Sequence, residues 1–436
     1  MIHVSRDSRN VTLFAGLSSI ACFFALGYLA LGYLAPGVVE AQQPPAATVF
    51  EGARLIVGDG SAPITDSAFI VENGRFASVG RKGQLKIPAG AARVNLTGKT
   101  VMPAIIDAHK HLAVTRDALV DQLQHLAYYG IGATMSLGQD TGDVAFQVRA
   151  ETIPNAARFF TAGRGLTGPE PGRTTAPFWV TSEADVRKDV QEMAAKKVDI
   201  IKIWVDDRDH TVTKLSPELY RAAIDEAHKH GLRVIAHIYT LEDAKGVLRA
   251  GIDAFAHSVR DKDVDDEYIK MIKAKPGFIV DPNLPDRGIR ADRTWLRDSM
   301  PAADFQKVQA DTKDDSKAQQ FFAIQCRNLT RLNKEGVKIA LGSDGGIPWA
   351  AHEEMADMAS CGMTPAQVIV AATRNAADLI KTPDTGTMAA RKSADFVVLD
   401  ANPLEDITNT RRIAAVYLRG TQVDRAGFTA RWSKSQ

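Results

Sequence analysis

The sequence predicts an α/β fold, a (β/α)8 TIM barrel with a small β-sandwich domain built from both chain ends. Three observations carry that expectation. First, short apolar runs follow helix-stopping glycines and end in a polar residue: Val234-Ile-Ala-His237 after Gly231, Asp253-Ala-Phe-Ala-His257 after Gly251, and Val337-Lys-Ile-Ala-Leu-Gly-Ser-Asp344 after Gly336. Parallel α/β proteins present side chains in this way, because their strands deliver functional groups to the C-terminal ends with helices between. Second, strand-like and helix-like patterns alternate over about residues 104–385, the length of one eight-stranded barrel with insertions. Third, both chain ends read as strands. Thr48–Val57 and Ser67–Val79 are strand-like, and Glu72-Asn-Gly74 between apolar runs marks a tight hairpin. Residues from Asp395 to about Asp424 have the same character, which divides the chain into 42–103 and 386–436 for the two halves of the sandwich and 104–385 for the barrel.

The N-terminus stands apart from this pattern. Residues Val11 to Val39 carry no charge, Arg6 and Arg9 precede them, and Val39-Glu40-Ala41 offers a small-residue cleavage site. Residues 1–41 therefore read as a secretory signal peptide. Because the apolar stretch is longer than a usual signal core, an uncleaved membrane anchor is the rival reading. Either way the remainder is expected outside the cytoplasm, in the periplasm or tethered to the membrane. Of three cysteines only Cys326 and Cys361 lie beyond this segment, too few for a disulfide framework, and the sequence leaves a single bond between them open.

The first barrel strand is Val101-Met-Pro-Ala-Ile-Ile-Asp-Ala-His-Lys-His111, an apolar run closed by two histidines. On a strand, residues i and i+2 share a face, so His109 and His111 leave its end side by side, and neutral imidazole is the commonest biological metal ligand. The fourth run, Val198-Asp-Ile-Ile-Lys-Ile-Trp-Val205, carries Lys202 in its middle. Lysine is almost never found inside an apolar strand without a partner, and desolvation lowers its pKa. A neutral buried amine can add carbon dioxide to form a carbamate, whose two oxygens bridge two metal ions. The alternative is a lysine reaching to Asp206 or Asp207; beside four histidines and an aspartate in one pattern, the carbamate is the favoured reading. A helix capped by Ser216, with Pro217 at its first position and Gly231 past its end, precedes His237.

The order His-x-His, Lys, His, His, Asp on successive strand ends resembles the amidohydrolase superfamily in its two-metal form with a carboxylated lysine. Gly98-Lys-Thr-Val-Met-Pro-Ala-Ile-Ile-Asp-Ala-His is similar to that family's lead-in to its first barrel strand. Met363-Thr-Pro-Ala-Gln-Val-Ile-Val-Ala-Ala-Thr-Arg-Asn-Ala-Ala resembles its last helices, and Lys392-Ser-Ala-Asp-Phe-Val-Val-Leu-Asp its returning strand. The likeness runs from about Ala47 to about Asp424 and is strongest to imidazolonepropionase-like and prolidase-like (Xaa-Pro dipeptidase) hydrolases. It implies two divalent metal ions, zinc first among them. His109 and His111 would bind the more buried ion, His237 and His257 the more exposed one, with Lys202 between them; Asp344 would bind the first ion and shuttle a proton. Two positions depart from the family: Lys110 between the paired histidines, and Gly168-Pro-Glu-Pro-Gly172 in place of its Gly-Gly-His. Both fall where substrate would sit.

The chemistry implied is hydrolysis by a metal-bound hydroxide, with Asp344 as general base and then acid. Tyr239, two residues beyond His237, is either an oxyanion donor or a packing residue at the barrel rim. Arg260 is the strongest of five basic candidates for a substrate carboxylate, the others being Lys110, Arg164, Arg173 and Arg287. His352, shortly after Asp344, resembles a family position that opens the following helix near the pocket, which implies a second substrate contact. His125, His210, His228 and His230 read as packing or surface. The charged, helical stretch from about Asp261 to Gln325 is expected to cover the pocket.

Composition sets bounds. With 45% hydrophobic residues, 24% charged residues and a net charge of +1, the chain is an ordinary globular protein with nothing pointing to nucleic acid. It has no phosphate-binding glycine loop and no Gly-x-Ser-x-Gly elbow, so neither a nucleotide cofactor nor a serine hydrolase is expected. The leading expectation is a two-metal hydrolase acting on a C–N amide bond of a small molecule (a dipeptide, an N-acyl amino acid or a cyclic amide). A lactonase, carbamate or phosphotriester hydrolase on the same site is the second reading, and a non-catalytic binding protein the third. Oligomeric state is not legible.

Overall fold

Parallel strands dominate the computed structural model, which describes residues 47–311 and 313–432. The N-terminal segment read as a signal or anchor lies outside the described residues. Among those described, no helix is long and apolar enough to cross a membrane.

Ile105–Lys110, Ile131–Ser136 and Arg158–Thr161 form a three-stranded parallel sheet. A seven-stranded parallel sheet runs in the order Phe178–Trp179, Leu166–Thr167, Ile201–Val205, Val234–Ile238, Ala254–Ala256, Ile279–Asp281, Lys338–Ile339. Backbone bonds join the two: Asp199 N–H donates to Thr161 O at 3.0 Å, and Ala108 N–H to Leu341 O at 2.9 Å. Helices such as Glu183–Ala195, Pro217–Lys229 and Leu241–Ala250 connect successive strands, giving a TIM-barrel-like α/β architecture. Residues 201–205, 234–238 and 254–256 are buried on both faces, as parallel strands covered by helices must be.

Local chemistry sets the helix ends. Ser216 Oγ accepts from Leu219 N–H and Pro217 opens the helix, while Gly231 takes φ +68° just past its end; a cap of this kind is worth about 1 kcal/mol. Thr240 and Ser182 cap their helices in the same manner.

The remaining strands make a four-stranded sheet (Ala47–Glu51, Ser67–Glu72, Arg75–Arg81, Ala92–Asn95) and a five-stranded one that combines Arg54–Leu55 and Thr100–Pro103 with Phe396–Leu399, Ile413–Leu418 and Thr421–Gln422. Both chain ends thus enter one sheet. Asn73 and Gly74 turn the first hairpin with φ +49° and +73°, the left-handed pair such a turn requires. Phe50 and Phe69 from one sheet pack edge-on against Phe396 from the other, at 5.2 and 5.1 Å between ring centroids.

The stretch expected to cover the pocket differs from that reading in one respect. It contains a strand of the seven-stranded sheet, Ile279–Asp281, preceded by the helix Asp266–Lys273. Beyond that strand the chain is more cover-like: it forms helices Ala302–Ala310 and Ser316–Lys334, the latter stacking Phe321 on Tyr239 at 6.3 Å. A Cys326–Cys361 disulfide ties this second helix to the end of helix Ala350–Ser360. Cross-linking residues 35 apart restricts the unfolded chain by about 3–4 kcal/mol on the loop-entropy account.

Candidate active site

The predicted histidine ligands leave the C-terminal ends of parallel strands, Lys202 stands inside one, and Asp344 lies in the loop after another. His109 and His111 close the strand Ile105–Lys110, with ring centroids 5.2 Å apart. Lys202 is the second residue of Ile201–Val205, and strand register sets Trp204 against His237 and His237 against Ala256, so that His257 follows beside His237 at 4.4 Å between rings. The His109 and His257 rings lie 5.1 Å apart. Asp344 faces them: its Oδ1 is 3.1 Å from His111 Nε2 and 3.7 Å from His109 Nε2, and its Oδ2 is 3.8 Å from His257 Nε2. Ligand atoms of His109, His111 and Asp344 fall within 4.8 Å of one another, close enough to share one cation. His237 stands next to His257, its Nε2 3.0 Å from Asp206 Oδ2.

Burial and charge are unusual here. His109 Nε2, His111 Nδ1 and Lys202 Nζ are buried and have no hydrogen-bond partner among the described residues, although a buried polar atom left unpaired costs about 1–3 kcal/mol. Burial pushes Lys202 down to about 7, against the pull of Asp344 and Asp281. Burial also holds His109 and His257 well below the usual imidazole range and brings His237 to about 3, so all three are neutral. Burial alone would raise Asp344, but His109, His111 and Lys202 together outweigh it and keep the carboxylate ionised. Neutral imidazoles, an ionised carboxylate and a deprotonatable lysine are the donor set a divalent cation needs.

Glycines make room for these groups. A Cβ on Gly138 would lie 2.9 Å from Lys202 Cγ, and one on Gly165 2.8 Å from Lys202 O. On Gly342 it would lie 2.6 Å from His109 Cβ and closer still to Asp281 Oδ2. His257 and Asp344 themselves take left-handed φ of +83° and +52°; such strain costs roughly 1–3 kcal/mol per residue and concentrates at functional sites.

Two neighbours were not foreseen in the roles they take, Asn283 not at all and Asp206 only as a partner for Lys202. Asn283 Oδ1 is 2.8 Å from His109 Nδ1, while its amide nitrogen donates to Asp281 Oδ1 at 3.3 Å. That orientation sets a proton on Nδ1 and leaves the Nε2 lone pair free, as ligating histidines require. Asp206, the second, is gripped by Arg208 at 2.6 Å, and Arg208 in turn reaches Glu170 at 3.4 Å. Glu170, in the Gly168–Gly172 departure, is buried and also bound by Arg173.

The basic candidates separate clearly. Arg164 is spent on the carbonyls of Thr175, Ala176 and Pro177, Arg173 on Glu170, and Arg287 on Asp357. Lys110 is fully buried rather than at the rim, bonded to Ser343 Oγ and Ile347 O. Alternation explains this correction: a residue between two histidines that share one face must point to the other. Arg260 remains. It contacts His257 Nδ1, and among the described residues it has no carboxylate ion-pair partner. Tyr239, at the end of the preceding strand, is joined to it through the backbone, its carbonyl accepting from Arg260 N–H at 2.8 Å.

His352 does not reach the site. Its ring is buried, with Nδ1 3.0 Å from Thr410 Oγ1 and Nε2 2.8 Å from Tyr129 O, so both nitrogens serve packing of the helix Ala350–Ser360. Burial lowers its pKa from 6.5 to about 4. A base with a depressed folded-state pKa stabilises the fold fully above its unfolded pKa and loses that contribution as pH falls. Stability is therefore expected to drop from pH 6.5 to about 4, and His352→Gln to flatten that slope in urea titrations run across the window. An unchanged slope would mean His352 does not take up the proton. Of the other histidines, His125 stacks on Trp432 at 3.5 Å, His228 pairs with Asp253, and His210 is exposed beside Asp207.

Known proteins share this organisation. The amidohydrolase family pattern matches residues 100–423. This chain belongs to the amidohydrolase family. Ochratoxinase from Aspergillus niger is 26% identical over 427 residues, covering 85% of each chain. Imidazolonepropionase from Salinispora tropica is 24% identical over 385 residues, covering 77% of this chain and 86% of that one. Among solved structures, a putative prolidase from Bifidobacterium longum superimposes with a TM-score of 0.72 at 25% identity, covering 89% of this chain and 98% of that one. The chain is accordingly a hydrolase, with prolidase-like structural neighbours and a His–His–Asp cluster that could hold a metal ion.

Proposed function

We propose that this protein is a two-metal hydrolase of C–N amide bonds in dipeptides, N-acyl amino acids or cyclic amides. One observation carries the reading: His109, His111, His237, His257 and the Asp344 carboxylate cluster with a buried Lys202 whose amine has no hydrogen-bond partner among the described residues. The prolidase and the imidazolonepropionase among its relatives support a C–N bond as the target. The reading includes a closed eight-stranded barrel, supported by the bonds joining the two parallel sheets, and a β-sandwich, supported by the shared Phe50, Phe69 and Phe396 core.

In this account His109, His111 and Asp344 would hold one cation, zinc by preference for such ligands, and His237 and His257 would hold the other, with Lys202 as the residue that would serve both as a carbamate. Bound there, the cations would polarise the scissile carbonyl and lower the pKa of water enough to supply a nucleophile at neutral pH. Asp344, kept ionised by its neighbours, accepts that proton and returns it to the departing nitrogen. Asn283 holds His109 in one tautomer, and Asp206 does the same for His237. Tyr239, whose pKa burial raises, stays protonated and donates to the developing oxyanion. Arg260 takes a carboxylate on the substrate, which would supply the anion it lacks. Export is part of the proposal; the Cys326–Cys361 disulfide supports it, since such bonds persist in oxidising compartments.

A substrate panel tests the reading: Xaa-Pro and other dipeptides, N-acyl amino acids, lactones and a phosphotriester, offered to the zinc-loaded 42–436 chain with and without chelator. Chelator-sensitive cleavage of one amide group is the expected result. Turnover confined to a lactone or phosphotriester would move the assignment to that bond, and silence from a metal-loaded protein would revive a binding role.

A further inference from the structure

Lys110 lies between the two histidines of the first barrel strand, points away from both, and has no part in the chemistry above. We infer that Lys110 is a positioning residue that holds Asp344 in place by tying down the chain on both sides of it; the inference rests on reading Asp344 as a metal ligand.

Upstream of Asp344, Lys110 Nζ donates to Ser343 Oγ at 3.0 Å. Downstream, the same ammonium donates to Ile347 O at 2.7 Å. Ser343 is held a second time, its N–H and O–H donating to Asp107 Oδ1 and Oδ2 at 3.0 and 2.6 Å. Asp107, 3.8 Å from Lys110 Nζ, supplies the countercharge. Two backbone bonds complete the clasp, from Asp344 N–H to His109 O at 2.8 Å and from His111 N–H to Gly345 O at 3.2 Å.

The need for such a clasp comes from conformation. Asp344 takes φ +52° without being glycine, and a strained residue persists only where its surroundings over-determine it. The anchor is the strand that carries His109 and His111, so the brace sets the carboxylate directly against the two imidazoles it must share a cation with. An apolar side chain of similar length would be cheaper to bury than an ammonium, but it could not span Ser343 and Ile347.

The test uses cobalt(II) alone as the probe, added to the metal-free protein, its Lys110→Met and Ser343→Ala variants and the double variant. Stoichiometry, affinity and visible ligand-field bands are read together with the melting temperature. Lys110→Met is expected to keep the cobalt stoichiometry, bind the ion roughly 10–100-fold more weakly, as loss of an outer-shell partner does, and shift the bands. Ser343→Ala should shift them the same way by less, and the double variant should add little, because one clasp is being cut twice. If Lys110→Met fails to fold, Ser343→Ala decides alone. A lowered melting temperature with bands superimposable on those of the parent protein would overturn the inference, since a purely structural lysine would do that. Absence of cobalt bands in the parent protein would overturn the metal reading and the brace with it.

Discussion

Replacing Lys202 with alanine is expected to abolish metal retention and turnover together. The side chain is fully buried, its amine has no hydrogen-bond partner among the described residues, and burial brings its pKa to about 7, so a large share is neutral and able to form a carbamate at physiological pH. Strand register leaves no substitute: the positions opposite Lys202 and Ile203 on the next strand are Ile235 and Ala236, neither able to ligate. Loss of an outer-shell partner costs roughly 10–100-fold in affinity or activity, and loss of a group that would, on the proposed reading, be shared by two ions should exceed that. Elemental analysis after gel filtration, with turnover measured on the same sample, checks it. Lys202→Met, which fills the space without an amine, should behave alike. Full activity in either variant would remove Lys202 from the site.

Asp344→Asn is the second large effect expected. The substitution keeps the size of the side chain and an oxygen for the cluster, but an amide cannot accept the proton that the account assigns to Asp344. General acid–base groups contribute about 10²–10⁴-fold, and kcat should fall by that amount with KM little changed. Retention of more than about a tenth of kcat would show that another group moves the proton.

The candidate ligands could be proposed from sequence because one pattern repeats: a glycine stops a helix, a short apolar run comes next, and a polar residue ends it. His237, His257 and Asp344 were found in that way, and His109 with His111 by their alternation. The same pattern stands in Gly277-Phe-Ile-Val-Asp281. It was absorbed into a cover segment because a three-residue strand without a terminal histidine gives little periodicity to read. Asp281 and Asn283 were therefore missed. Lys110 was misplaced at the rim by its charge, where strand alternation alone would have turned it inward. His352 was placed by its resemblance to a family position in the helix after Asp344, but which face of helix Ala350–Ser360 it occupies depends on packing against Tyr129 and Thr410, far away in the chain. The Cys326–Cys361 pair is likewise a tertiary fact: 35 residues apart in sequence and 5.0 Å between Cα atoms in the fold.

Metal content and activity, titrated on one preparation, test the central claim most directly. The chain would be stripped with chelator, then given zinc stepwise while bound metal and cleavage of the responsive panel substrate are followed together. The account predicts no turnover in the stripped protein and recovery that is complete at two bound ions per chain. Undiminished turnover by metal-free protein would contradict it.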